Sequence, residues 1–281
     1  MSPATGSVRV ASVQFAAQAT ATGDAFFDRI ATYVRSAGDY GADFVCFPEH
    51  FTLQLLSAAP TMVPADEAIH RLTEYTPRLK ERLSALAKEH SVNIVGGSHA
   101  TVLENGEAHN ITYVALRDGT LHARHKLHPT PDEKAVWNIQ GGESAEPVET
   151  DRGQVGVMIC YDSEFPLLGR ALADCDIIAV PSVTEALAGY WRVRIGSMAR
   201  ALENQCVTAM SSCIGPADWS EALGTSYGAG GIFCPPDVGF PSTGVLAAAE
   251  INVPGWTFAE VDIAQISHVR ADGVVLNRNH W

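Results

Sequence analysis

Gly156-Val157-Met158-Ile159-Cys160-Tyr161-Asp162-Ser163-Glu164-Phe165-Pro166 is the stretch on which the reading of this chain turns. An apolar run rich in β-formers ends on a cysteine. A polar turn follows, and Pro166 then opens a helical pattern that continues to Ala173. A strand-to-helix turn can hold a nucleophile at the edge of a sheet, near backbone N–H groups able to stabilise an oxyanion. Taken alone, a cysteine in such a run is more often a buried packing residue.

Two further apolar runs end the same way. Phe44-Val45-Cys46-Phe47-Pro48-Glu49-His50 closes on a carboxylate, and Arg124-His125-Lys126-Leu127-His128-Pro129 brings an ammonium after the strand-like Ala108–Leu116. Strand ends are where ligands meet functional groups in open sheets. Three reactive groups delivered in this manner are much less expected by chance than one.

The set Phe47-Pro48-Glu49, His125-Lys126-Leu127-His128 and Cys160-Tyr161-Asp162 resembles the Glu-Lys-Cys set of the nitrilase superfamily of carbon–nitrogen hydrolases. The resemblance covers nearly the whole chain. Val8–Phe15 is similar to the family's first strand, Arg200-Ala201-Leu202-Glu203-Asn204 to its Arg-Ala-x-Glu-Asn helix, and Val269–Arg278 to its closing segment. The resemblance implies one domain over 1–281, an α/β four-layer α-β-β-α sandwich of two mixed sheets. Pattern alone leaves a three-layer doubly wound sheet equally open, because strand-like and helix-like pieces simply alternate.

Composition narrows the class. Apolar residues make up 46% of the chain, enough for a substantial core. The formal charge of -13 argues against a nucleic-acid partner. No basic-then-apolar leader is visible and no apolar run approaches membrane-spanning length, so a cytoplasmic chain without membrane contact is expected. The six cysteines, Cys46, Cys160, Cys175, Cys206, Cys213 and Cys234, are dispersed, as in a reduced protein, with five expected to pack and one to react.

A free thiol has a pKa of about 8.5, so attack on a carbonyl needs a nearby base or charge. The resemblance implies Glu49 as general base, Lys126 as oxyanion stabiliser with the Tyr161 N–H, and a thioester on Cys160. It also implies a second glutamate: Glu133 is the candidate, with Asp132 and Glu143 as competitors. Loop position suggests pocket walls from His50 and Phe51, Trp137, and the Ser182–Thr184 turn including Thr184. His122, His125 and His128 recur at every third residue, which alternates faces on a strand, and no zinc-ligand spacing is evident; no metal and no cofactor are expected. Gly228-Ala229-Gly230-Gly231 lacks the features of a phosphate loop and reads as a flexible turn.

Nitrile-converting members carry Trp-Glu after the nucleophile, whereas Tyr161-Asp162 resembles amidase-like and carbamoylase-like branches. Many of those have Arg two residues beyond the Asp; here that position is Glu164. The expected substrate is therefore a small amide or carbamoyl compound. Nitrile hydrolysis and a catalytically silent interaction module on the same fold are the alternatives. Leu167, Leu168, Leu172, Ile195, Met198, Ala199 and Leu202 exceed what one buried helix stripe requires. In the resembling family the equivalent helices meet in a homodimer, and the same is expected here.

Overall fold

The computed structural model describes residues 6–281. Its elements are, in order, β1 (Ser7–Ala16), α1 (Gly23–Asp39), β2 (Phe44–Cys46), α2 (Ala68–Thr73), α3 (Thr76–Glu89), β3 (Asn93–Val95), β4 (His99–Val102), β5 (Ala108–Ala115), β6 (Leu121–His125), α4 (Pro131–Trp137), β7 (Val148–Thr150), β8 (Gly153–Val157), α5 (Pro166–Ala171), β9 (Ile177–Ser182), α6 (Leu187–Asn204), β10 (Val207–Ile214), β11 (Gly231–Phe233), β12 (Val245–Ala248), β13 (Gly255–Asp262) and α7 (Ile263–Asp272). Among the described residues no helix is long and apolar enough to cross a membrane.

The strands hydrogen-bond in the path β4-β5-β3-β2-β1-β10-β9-β8-β7, with β6, β11, β12 and β13 branching from it. The two halves of this path meet at a narrow seam. β1 and β10 pair only where Gln14–Ala16 lies beside Ser212–Ile214. Before the seam, β1 pairs with antiparallel β13 along Ser7–Gln14, and β10 pairs with β11 at Thr208–Met210. Those two partners let the halves part into facing sheets.

Side-chain alternation then divides the core in three. Val8 and Val10 of β1, Ile177 and Ala179 of β9, and Val207 and Ala209 of β10 share a middle cluster between the sheets. The alternate residues Val13 and Phe15 face an outer cluster closed by Phe26, Ile30 and Val34 of α1 and Leu79, Leu83 and Leu86 of α3. Ile178, Val180 and Met210 face the opposite outer cluster, closed by Tyr190, Val193 and Ala201 of α6. The result is the α-β-β-α sandwich, with its two sheets continuous at the seam.

Strand direction decides where the chemistry gathers. β2, β1, β10, β9 and β8 are all mutually parallel. β6 is antiparallel to β5, which is antiparallel to β3, and β3 is parallel to β2. So β2, β6, β8 and β9 all run the same way, and the residues after them collect at one rim.

Several details differ from the sequence reading. The stretch from His50 to Thr76, which reads as loop-rich in sequence, holds a 3₁₀ helix at Phe51–Ala58 and the short α2, because Phe51, Leu53, Leu55, Ile69 and Leu72 are all buried. Gly228–Gly231 is buried rather than a flexible turn: a side chain at Gly230 would run into Gln14 and Thr257. β7 and α7 carry too little periodicity to be seen in the sequence.

All six cysteines are free and buried. Burial pushes the thiols of Cys46 and Cys206 up to about 12. Above the ordinary thiol pKa of about 8.5 the unfolded chain releases these protons while the folded chain keeps them, so stability must fall as pH rises. The urea midpoint is expected to drop between pH 8 and pH 10, each such thiol contributing up to about 2 kcal/mol at pH 10. Cys206→Ala should flatten this dependence; an unchanged slope would show that the thiol does not titrate as described.

Candidate active site

Glu49 leaves β2 through Phe47-Pro48 and is 2% exposed. Its turn is pinned on several sides. Phe47 N–H donates to Val95 O (2.9 Å), Ser98 N–H to Pro48 O (3.2 Å), and Ser211 Oγ to Phe47 O (2.8 Å). His50 then takes a left-handed conformation (φ 51°), uncommon for a residue with a side chain. Gly97 allows this packing, since a Cβ there would meet Pro48 O at 2.2 Å.

Lys126 follows β6 and is 1% exposed. Its Nζ donates to Glu49 Oε1 (2.8 Å) and Glu133 Oε2 (2.6 Å). Burial alone would lower the Lys126 pKa, but Glu49, Glu133 and the neighbouring Cys160 reverse this and hold it above the ordinary lysine value. Glu133 comes from the first turn of α4, where it forms a capping box with Thr130. Its Oε2 therefore also accepts the Thr130 N–H at 2.7 Å. Burial opposes ionisation of Glu133, yet the His50 hydrogen bond and the Lys126 charge hold it well below the usual carboxylate range.

Asn110, buried on β5, ties the carboxylates together. Its Nδ2 lies 3.1 Å from Glu49 Oε1, 2.9 Å from Glu133 Oε1 and 3.1 Å from His50 Nε2. His50 Nε2 is also 3.0 Å from Glu133 Oε1. Glu49, His50 and Glu133 present ligand atoms within 4.8 Å of one another, a donor set able to hold a cation; here the Lys126 ammonium already bonds both carboxylates.

Cys160 stands at the end of the β8 run with φ 49° and is 6% exposed. This left-handed position costs on the order of 1–3 kcal/mol and must be held by its surroundings. Asp162 is the main holder. Its carboxylate accepts the N–H groups of Ile159 (3.2 Å), Leu127 (3.2 Å) and His128 (2.8 Å). One side chain thus ties the cysteine turn to the segment bearing Lys126. On the far side Ser163 Oγ donates to Cys160 O (2.7 Å) and Arg200 Nη1 to Ser163 O (3.1 Å). Gly196 of α6 packs so close that a Cβ would meet Ser163 O at 2.6 Å.

The Val183 backbone links thiol and carboxylate. Cys160 Sγ donates to Val183 O at 3.6 Å, and Val183 N–H donates to Glu49 Oε2 at 3.2 Å. Burial, then the Glu49 charge, push the Cys160 thiol well above its ordinary pKa, against the pull of Lys126. The thiol rests protonated beside a carboxylate. An ammonium has three N–H groups and Lys126 uses two on carboxylates, leaving one for a developing oxyanion.

These groups line a cavity of about 760 Å³. Of the residues expected to shape the pocket, His50, Trp137, Val183 and Thr184 line it, and so do Tyr161, Glu133 and Asp132. Phe51 does not: it is buried in the aromatic core, stacked on Phe47 at 5.3 Å. Glu143 lines a separate cavity near His109 and His125. The three spaced histidines go different ways, His125 to His109 (3.2 Å) and His128 to Asp162 (3.3 Å). Asn110 is a contributor that the sequence reading did not name; Asp162 was read only as part of the cysteine motif and Val183 only as part of the pocket wall, not for the backbone contacts they make. Asn110 had a detectable signal, a neutral amide inside the strand-like run Ala108–Leu116.

The profile of the family described as carbon-nitrogen hydrolase matches residues 9–237, and the chain belongs to that family. It is 38% identical over 270 residues to "Probable hydrolase YhcX" of Bacillus subtilis, covering 95% of this chain but only 52% of that one, so it spans about half the relative's length. It is 28% identical to "Omega-amidase NIT2" of Xenopus tropicalis, over 74% of this chain and 75% of that one. Among solved structures, Nit3 of Saccharomyces cerevisiae, a nitrilase-superfamily member, shares the fold with a TM-score of 0.77 at 23% identity, covering 95% of this chain and 94% of its own.

Asp162→Asn places an amide donor among three backbone N–H groups that need an acceptor. The expected loss is about 3 kcal/mol of unfolding free energy, as buried donors lose a charged partner. Chemical denaturation checks this; unchanged stability would remove Asp162 as the holder of the turn.

Proposed function

We propose that this carbon–nitrogen hydrolase cleaves a small amide or carbamoyl compound through a thioester on Cys160. The observation that carries the reading is the Val183 bridge, in which the backbone C=O and N–H of one residue meet the Cys160 thiol and the Glu49 carboxylate. Glu49 takes the Sγ proton as sulfur attacks the carbonyl carbon. The carbonyl electrons move to oxygen, where the free N–H of Lys126 and the Tyr161 N–H receive the charge. Tyr161 is the second residue of a 3₁₀ turn that Cys160 opens, and the first N–H groups of such a turn lack partners within it. Collapse of the adduct breaks the C–N bond, and the proton on Glu49 leaves with ammonia or an amine. Glu49 then deprotonates water, which attacks the thioester, releases the acid and returns the proton to sulfur. Glu133 positions Lys126.

Cys160→Ala is expected to abolish hydrolysis with the fold intact, since a small residue still fits the turn. Mass spectrometry with a slow substrate should find the acyl adduct on Cys160; an adduct on another cysteine would reassign the nucleophile. Glu49→Gln and Lys126→Met should each lower turnover by roughly a thousandfold or more, because these groups act as a unit. Glu133→Gln should act chiefly through substrate placement and Lys126. Near-normal turnover in either Glu49→Gln or Lys126→Met would refute the role given to that residue.

The same reading includes a homodimer. Leu172 is buried as part of the helix-to-sheet packing, but Leu167 of α5 is 75% exposed and Ile195 of α6 is 63% exposed. Leu187, Trp191, Ile195 and Leu202 make an exposed stripe along α6, the helix that clamps the Cys160 turn through Arg200 and Gly196. A two-fold contact would cover this patch twice. Light scattering at micromolar concentration should give at least twice the chain mass of 30.0 kDa. Ile195→Asp should shift that mass downward; a fully active monomer would overturn the assembly.

A further inference from the structure

Below its rim the cavity around Cys160 is walled by carbon. Leu53 from the 3₁₀ helix at Phe51–Ala58, Trp137 from the end of α4, Val193 from α6 and Leu223 from the loop before β11 all line it, and Leu53, Val193 and Leu223 are buried. Apart from the Tyr161 hydroxyl, the polar side chains at this depth already bond one another or the backbone. Trp137 Nε1 donates to Ala65 O (2.6 Å), Thr184 Oγ1 donates to Tyr227 O (2.7 Å), and Thr130 Oγ1 accepts the Glu133 N–H (3.2 Å). His50 Nε2 is committed to Glu133, and its Nδ1, although unpartnered, is buried. Charge stands outside this zone: Asp132, Glu185, Arg192 and Glu221 are all exposed. Arg192 Nε lies 3.3 Å from Glu164 Oε1, which leaves its two Nη groups for water or a ligand. A charged group of either sign thus meets a counter-charge at the rim.

The depth of Glu49 sets the direction of the substrate. In the proposed reaction its proton leaves with the nitrogen. The nitrogen must therefore lie against a carboxylate that is buried and bonded to Lys126, Asn110 and the Val183 N–H, at the floor of the cavity. The acyl part then extends along the apolar wall. We infer that the substrate is a primary amide whose acyl part is an apolar body of several carbons, any charge it carries lying at the far end against the rim. The inference rests on the hydrolase reading and deepens it. Each methylene moved from water onto such a wall strengthens binding by about fourfold. A hydroxyl or amine held at the same depth gives up its hydrogen bonds to water with only Tyr161 to replace them. A cavity of this size also takes far more than a two-carbon amide.

The primary amides from acetamide to pentanamide test this, with 4-hydroxybutanamide as the polar match of pentanamide and N-methylpentanamide as its N-substituted match. Hydrolysis by the wild type is read as kcat/KM from release of the carboxylic acid. Affinity is read independently by NMR titration of the Cys160→Ala protein. Both should rise about threefold to fourfold with each methylene, placing pentanamide at least about thirtyfold above acetamide. 4-Hydroxybutanamide should fall at least about tenfold below pentanamide. N-methylpentanamide should be the poorer substrate; hydrolysis as fast as that of pentanamide would overturn the direction assigned to the chain. Leu223→Ser and, separately, Val193→Ser should each shrink the pentanamide-to-acetamide ratio, which is taken within one protein and so does not depend on how much of it is folded. An unchanged ratio in both would overturn the wall assigned here. Affinities that are flat with chain length, a hydroxyl tolerated without loss, or no binding of any amide overturns the inference. Flat affinities with turnover leave the hydrolase reading standing. Affinities that rise with chain length while none of the amides is turned over support the apolar pocket and count against the hydrolase reading, so the two failures are distinct.

Discussion

The buried ammonium of Lys126 is the constraint around which this structure is arranged. Removing a charge from water costs several kcal/mol even after relaxation, and Lys126, Glu49 and Glu133 are all buried. The cluster is tolerable only because each charge is met at close range and the remaining lone pairs are occupied. Asn110 and His50 serve the carboxylate oxygens, and the Thr130 N–H serves Glu133. These partners come from the β2 turn, β5, the end of β6 and α4. All of these lie in one half of the sandwich, and the other half meets the cluster through the Val183 N–H on Glu49 Oε2. Deleting the Lys126 charge would leave two buried carboxylates facing each other without a counter-charge, the costliest single loss the cluster could suffer.

Two strained turns flank that cluster, and both are held by contacts from distant sequence. His50 sits at positive φ because Ser98 and Gly97 close over the Pro48-Glu49 segment. Cys160 sits at positive φ because Asp162 collects three backbone N–H groups and α6 presses on Ser163 through a glycine. In both cases the strain aims a functional group toward the rim where parallel strand ends converge. The Arg-Ala-x-Glu-Asn segment of α6 gains a physical meaning here. Arg200 is buried, bonds Ser163 O, and is itself neutralised by Glu203.

Much of this was legible in the sequence, for identifiable reasons. Glu49, Lys126 and Cys160 each end an apolar run, and strand ends are readable from periodicity. Their convergence rested on a family resemblance, because periodicity describes one element at a time. Val183 could not have been found by residue type: it acts through its peptide N–H and C=O, which every residue possesses. Asp162 was visible as part of a motif, but its role depends on Leu127 and His128 lying beside it, a contact across more than thirty positions. Gly228–Gly231 was misread as flexible since glycine serves close packing as readily as it serves freedom, and only the Gln14 and Thr257 side chains opposite decide between them. The buried 3₁₀ helix at Phe51–Ala58 was hidden because its eight residues bury polar Thr52 and Gln54 alongside Phe51, Leu53, Leu55 and Leu56, leaving no amphipathic period to detect.

The resting state of the thiol has a further consequence for how such a cluster can work. Cys160 is not poised as a thiolate; burial and the adjacent Glu49 charge both favour the protonated form. Transfer of its proton to Glu49 changes neither the total charge of the cluster nor the number of buried ions. It moves one negative charge from the carboxylate to the sulfur, and Lys126 remains close to both. The energetic demand on the surroundings is therefore small at the moment of transfer, because no charge is created or exposed. The same arrangement keeps the thiol protonated when no electrophile is present, and thiolate character governs susceptibility to oxidation. A buried ion cluster that is costly to assemble thus makes an internal proton shift inexpensive, and this ties the rigidity of the fold to the chemistry proposed at its rim.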